Sequence, residues 1–343
     1  MQEPVHPERI RQPRDVAPTP ETLWQARAEW QAAPAMDDRS LRQWWDNVRL
    51  RWDCHSTAIE GSSLTYRDTV ELLVHQRVPA SRPALWEIEQ MRGHDDAAYQ
   101  LAHWLNTGHA LRLEDLHDIH RMMLVRPYPA RSIEGDRITR YVQVGKFKTT
   151  PNALVAEGRL VEFAPPNQVP ALMQVWWERL TQRLDILSHD PQAMDPAWIL
   201  ASSHWDFIAI HPYDDGNGRM ARWVSNWMAM AMGYPPLVIT LEQKDAYFAC
   251  YEGQSTRSIP ATRDQVRPLR DFLAARMLDS MHFGVAVAQG TTDPSYANET
   301  ADLHRPVPIS TTYTLEATVP RLRPQDRRDT PDGTAFGDSR WED

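Results

Sequence analysis

The chain has 343 residues, 42% hydrophobic and 24% charged, enough for one large domain or two ordinary ones around a sizeable core. Its net charge of −9 argues against a general nucleic-acid binder, and no run approaches the roughly 18 apolar residues of a membrane span. Two cysteines, Cys54 and Cys250, cannot build a disulfide scaffold, and Met1-Gln2-Glu3-Pro4 opens no basic-then-apolar leader, so a soluble cytoplasmic protein is expected.

Prolines gather at the two ends, six of the 27 in residues 1–34 and six in residues 291–343. Residues 1–36 therefore read as extended or disordered, and residues 286–343 as a disordered tail rich in Pro, Thr and Asp. Between them helix follows helix. Residues 38–59 place Leu41, Trp44, Trp45, Val48 and Trp52 at helical spacing. Thr65 and Asp68 form a capping pattern for a helix to about Arg77. The same periodicity recurs over 84–106, 113–125 and 166–187, and Asp195-Pro196 supplies a cap and a first-turn proline for another helix. Helices are also expected over 218–232, 244–252 and 265–282. One stretch departs from this: between Ile138 and Phe163, β-branched residues cluster around Gly145 and Gly158, which predicts a hairpin. The expected fold is all-α with one small β-hairpin. It comprises an N-terminal helical region over 37–110 and a core over 111–285 whose hairpin lies near 137–163.

The chemistry concentrates in His211-Pro212-Tyr213-Asp214-Asp215-Gly216-Asn217-Gly218-Arg219-Met220-Ala221-Arg222. A two-glycine loop leading into a helix turns several backbone N–H groups toward one point, with the positive end of the helix dipole behind them. Arg219 and Arg222, three apart, can grip phosphate oxygens. Asp215 offers a hard oxygen suited to Mg²⁺, and His211 can serve as a general base near neutral pH. A plain helix–turn–helix corner with surface arginines is the competing reading. Eight residues must coincide, however, and chance would produce them on the order of once in 10⁸ chains of this length.

The loop resembles the signature of the Fic family, His-x-Phe-x-(Asp/Glu)-Gly-Asn-Gly-Arg-x-x-Arg, with Tyr213 in place of Phe. The resemblance covers roughly residues 40–285 and takes in the hairpin, which corresponds to the family's target-docking flap, and the following Phe163-Ala164-Pro165-Pro166. It implies a protein adenylyltransferase that moves AMP from Mg-ATP to a Ser, Thr or Tyr hydroxyl of a target protein. By the same resemblance His211 is the catalytic base and Asp215 the Mg²⁺ ligand. Gly216, Asn217, Gly218, Arg219 and Arg222 bind phosphates, and Tyr247, Phe248 and Ser255 are candidate adenine contacts. Tyr213 is expected to pack, and its hydroxyl then needs a partner.

Residues 56–61 fit (Ser/Thr)-x-x-x-Glu-(Gly/Asn), which in this family marks an inhibitory helix. The implied brake uses Ser56, Glu60 and Gly61, with Glu60 pairing Arg222 in the space of the γ-phosphate. An ordinary helix end with Gly61 as its cap accounts for the same residues. The resemblance also implies that the target docks by strand addition to the flap. Seven basic residues between Arg121 and Lys148 (121, 126, 131, 137, 140, 146 and 148), against Glu134 and Asp136, would suit an acidic target surface. A solvated basic face explains them equally well. Three other readings of the whole stay open: hydrolytic removal of AMP, transfer from another donor such as UTP or a choline derivative, and a nucleotide-binding regulatory module with little catalysis. His120, His204 and Cys250 sit on apolar helical faces and read as core.

Overall fold

A computed structural model of the chain describes residues 16–129, 141–156, 159–252 and 258–291, with residues 320, 322, 323 and 325 near the C-terminus. Ten α-helices and one two-stranded sheet make up the described part: α1 (Pro20–Ala32), α2 (Asp38–Ile59), α3 (Tyr66–Leu73), α4 (Leu85–Thr107), α5 (Asp115–Leu124), β1 (Ala153–Ala156), β2 (Arg159–Glu162), α6 (Val169–His189), α7 (Pro196–Ile210), α8 (Asn217–Ala231), α9 (Lys244–Ala249) and α10 (Arg263–Ala288). None of the helices is long and apolar enough to cross a membrane among the described residues.

Helices α7 and α8 form the centre. Almost every residue of α7 is buried, which is why its sequence is apolar on all sides and not on one stripe. It packs against α6, α8 and α10, while α4 lies against α2 and α5. The tryptophans fill this core: Trp44, Trp45, Trp52, Trp176 and Trp177 are all buried. The caps act as their chemistry requires. Asp195 accepts from the amide of Ala197 ahead of Pro196, and Thr65 and Asp68 form a reciprocal capping box that opens α3.

Two expectations are corrected. The segment before residue 37 is not extended throughout, because Thr19 and Pro20 start a helix whose Leu23, Ala26 and Trp30 are buried. Prolines there mark a helix start, where the missing N–H costs nothing. In the C-terminal tail the guanidinium of Arg323 stacks over Trp30 at 4.3 Å and donates to Ala33 O, and Gln325 donates to Gln31 O. At those positions the tail is packed on the N-terminal helix region.

The hairpin also sits later than the β-branched cluster suggests. Its strands are β1 and β2, antiparallel, with Ala153 opposite Glu162 and Ala156 opposite Arg159. Ile138 and Thr139 lie outside the described residues. The run from Val142 to Thr150 makes bends instead, because its backbone donors are spent elsewhere. Gln143 N–H goes to Asp214, Gly145 N–H to His120 and Lys148 N–H to Pro212 O, all in or beneath the loop that precedes α8.

Candidate active site

The chain leaves α7 at His211, which takes a left-handed conformation (φ 52°, ψ 62°), and enters α8 through Gly216 at φ +77°. Between these turns the loop is bound from inside. Asn217 accepts from Tyr213 N–H at 2.9 Å and donates to Tyr213 O at 2.8 Å. Both ends of its side-chain amide are thereby committed, so the expectation that this side chain grips phosphate is corrected to that of a loop clamp. Tyr213 is fully buried, stacks on His120 at 3.9 Å and finds its hydroxyl partner in His117 Nδ1 at 3.3 Å.

Two of the contacts that hold His211 fix its ring. Its Nδ1 lies 3.3 Å from Ile208 O, which puts the proton on that nitrogen and makes Nε2 the basic one. Its ring stacks on Phe163 at 3.7 Å and 11°. Asp215 has both carboxylate oxygens engaged: Oδ1 accepts from Gly216 N–H at 2.6 Å and Oδ2 from the Tyr128 hydroxyl at 2.5 Å. Burial pushes the Asp215 carboxyl up, but the Arg219 charge, the Tyr128 hydroxyl and the Gly216 amide outweigh it, and the group is held below the usual carboxylate range.

The arginines at the start of α8 are buried. Arg219 donates to Gln90 at 2.6 Å. Arg222 donates through Nε to Ser56 Oγ at 3.0 Å, and through Nη2 to both Ser56 O and Glu60 Oε1 at 2.8 Å. Burial opposes the Arg222 charge, yet Glu60 and then Tyr247 more than restore it, and its pKa is raised. Residues 56–61 form a helix end that also carries the Glu60–Arg222 pair. Ser62 N–H closes back onto Thr57 O around Gly61 at φ +100°, and that helix end projects Glu60 over α8. A Cβ at Gly218 would meet the Glu60 carboxylate and could be accommodated only by shifting that side chain.

Two guanidinium nitrogens in the site, Arg219 Nε and Arg222 Nη1, are buried with no hydrogen-bond partner among the described residues. Arg222 Nη1 lies 3.2 Å from where a Gly218 Cβ would stand. Unpaired donors at a helix N-terminus are the complement of a phosphate. Glu60, Tyr128, Phe163, Asp215 and Arg219 all line one cleft of about 1280 Å³, large enough for a nucleotide. Among the described residues no group of three or more His, Cys, Asp or Glu side chains could hold a metal by itself.

The adenine candidates fare differently. Tyr247 is core: it is buried, and its hydroxyl bonds His204 Nε2 at 2.7 Å, so its assignment to adenine is corrected. Phe248 is exposed and lies beside Lys244, and Ser255 lies outside the described residues. The basic cluster is also redistributed. Arg121 pairs with Asp118 and Arg126 with Glu89, while Arg131, Arg137 and Arg140 lie outside the described residues. Lys148 is buried, and its ammonium bonds Asn152 Oδ1 at 2.7 Å and Ile210 O at 3.3 Å. Burial lowers its pKa to about 8.

Four contributors carry no sequence signal of their own: Tyr128, Gln90, Asn152 and Lys148. His120 is core, as its apolar face suggests, but it also works as a bridge. It accepts from Gly145 N–H at 2.8 Å and donates to Asp215 O at 2.9 Å, and burial lowers its pKa to about 4, which keeps it neutral.

These features define a helical domain with one small hairpin and unpaired guanidinium donors at the start of α8. Residues 110–229 match the model of the Fic/DOC family. Among solved structures it is similar to a Fic domain containing signaling protein from Bacteroides thetaiotaomicron (24% identity, 80% of this chain and 97% of that one, TM-score 0.67). It is also similar to Fic-1 from C. elegans (20% identity, 80% and 72%, TM-score 0.60). Among curated relatives it is 26% identical over 222 residues to the Protein adenylyltransferase Fic of Nematostella vectensis, covering 64% of this chain and 45% of that protein. With the protein of the same name from Aedes aegypti it is 27% identical over 290 residues, covering 83% and 49%. The chain thus spans less than half the length of these two relatives.

Proposed function

We propose that this chain is a protein adenylyltransferase held in check by its own Glu60. The observation that carries the reading is the Glu60–Arg222 ion pair at 2.8 Å, seated over the N-terminus of α8 in the same cleft as Asp215. Relatives named protein adenylyltransferase, matched over more than half of this chain, support the same activity.

In this mechanism His211 Nε2 takes the proton of a target Ser, Thr or Tyr hydroxyl as its oxygen bonds to the α-phosphorus of ATP. The bond to the β-phosphate oxygen breaks, and pyrophosphate leaves. Phe163 keeps the imidazole in plane for that transfer. Arg219 and Arg222, with the amides of Gly216 and Gly218, neutralise the phosphate charge, so that the gain comes from positioning and electrostatics. The donor set fits Mg²⁺: Asp215 is a depressed, partly satisfied carboxylate beside the phosphate site, and Mg²⁺ is usually held by one or two carboxylates with phosphate oxygens and water. The ion, when bound, supplies charge neutralisation at the phosphates. Target docking by strand addition to the edge of the β1–β2 hairpin completes the reading.

The brake works by occupation. While Glu60 holds Arg222, that arginine is withheld from the phosphates and a carboxylate stands in their place. ATP labelled at the α-phosphate, incubated with Mg²⁺ and a cell lysate, tests this directly. Label is expected with Glu60→Gly at a level at least tenfold above the parent. It should fall roughly 10²–10⁴-fold when His211→Ala is added, the contribution of a positioned general base. Equal labelling by parent and Glu60→Gly would overturn the brake. Label removed from a modified target by the parent would favour hydrolysis over transfer.

A further inference from the structure

Glu60 and Tyr128 both line the cleft, and each reaches a charged group of the 211–222 loop region. The Tyr128 hydroxyl donates to Asp215 Oδ2 at 2.5 Å. It thus sits on the carboxylate that the proposed metal–phosphate group would need, in the cleft that Arg219 also lines. The remaining Asp215 oxygen already accepts from Gly216 N–H. Each oxygen thus already accepts one internal hydrogen bond, and a cation binding at Oδ2 competes with the phenol for that oxygen. The Gly216 amide is fixed by the backbone, whereas a phenol can swing.

Resting on the nucleotide-transfer reading above, we propose that Tyr128 is a second latch, whose hydroxyl holds the place of the metal–phosphate group at Asp215 until Mg-nucleotide displaces it. The backbone beside the latch is held independently of its hydroxyl: Tyr128 O accepts from Val142 N–H at 2.8 Å, Pro129 bridges Tyr141, and Gln143 N–H donates to Asp214 at 3.1 Å. Glu60 acts on Arg222 and Tyr128 on Asp215, so the two act on different groups and their releases should add.

Calorimetric titration with ATP in Mg²⁺ tests this by comparing Glu60→Gly with Glu60→Gly carrying Tyr128→Phe, alongside the same pair in EDTA. Loss of one hydrogen bond to a carboxylate should tighten Mg-ATP binding roughly tenfold, with a much smaller change in EDTA. Unchanged or weaker Mg-ATP binding in the Phe variant would overturn the latch, since the phenol would then be propping the carboxylate for the metal. Equal tightening with and without Mg²⁺ would also overturn it, because relief would not lie at Asp215. If Glu60→Gly neither binds Mg-ATP nor transfers AMP, the nucleotide reading fails first and takes the latch with it. Binding by Glu60→Gly without tightening by Tyr128→Phe sinks the latch alone.

Discussion

Residues 211–222 and the described residues of 141–163 both contribute to the lining of one cleft, yet they are held by different kinds of contact. The first segment fixes its own turn by short-range contacts, on top of its long-range ones: Asn217 clamps Tyr213 four residues back, and Gly216 N–H caps the neighbouring Asp215. The second has little internal pairing before its hairpin and is held by donors given away to distant partners, including Asp214, His120 and Pro212. Short-range chemistry leaves a contiguous pattern in the sequence, and long-range chemistry does not. The loop from His211 to Arg222 is therefore legible as a string of residues, whereas the segment beside it is assembled by the fold.

Breaking the first segment should have the largest effect. Asn217→Ala removes two buried hydrogen bonds to Tyr213 and is expected to cost about 2–4 kcal/mol, read by urea denaturation, since it strands a buried amide. In the Glu60→Gly background it should also lower AMP transfer about 100-fold, because the loop that aims Asp215 loses its clamp. A loss confined to stability, with transfer intact in the folded fraction, would show that the loop keeps its shape without Asn217.

Breaking the second segment should cost less and depend on pH. Lys148→Met removes an ammonium bonded to Asn152 and Ile210 O, for about 1–2 kcal/mol near neutral pH. The sign of the pH effect follows from the depressed pKa. Between about 8 and the ordinary value of 10.5 the unfolded chain binds more protons at this lysine than the folded one, so its contribution makes the parent more stable as pH rises through that window. The stability difference between parent and Lys148→Met should grow in the parent's favour from pH 8 to pH 10.5. A flat difference would mean that the amine is not buried as described.

The smallest expected effect lies where the two segments touch. Phe163 belongs to the second and His211 to the first, and their rings stack at 3.7 Å. Phe163→Ala in the Glu60→Gly background should lower kcat roughly tenfold with little change in the KM for ATP, since it loosens the base and leaves the phosphate contacts in place. A rise in KM without a fall in kcat would assign Phe163 to nucleotide binding instead.

By itself the sequence determined the helical framework and the candidate loop from His211 to Arg222. Periodicity and caps place α2 to α8 within a few residues, and the residues from His211 to Arg222 carry their chemistry in their order and type. Even the pairing of Glu60 with Arg222 follows from two short patterns, given the family resemblance. Tertiary structure alone decided the rest. It brought Tyr128 to Asp215 across 87 positions, Gln90 to Arg219 across 129 and Arg323 to Trp30 from opposite ends of the chain. It also buried Tyr247 against His204 and turned a basic residue, Lys148, into an internal strut. The physical reason is one of range. A helix, a cap or a glycine-rich loop satisfies its backbone within a few residues and so shows in local order. A buried polar group finds its partner wherever packing delivers one, and no local pattern records that choice.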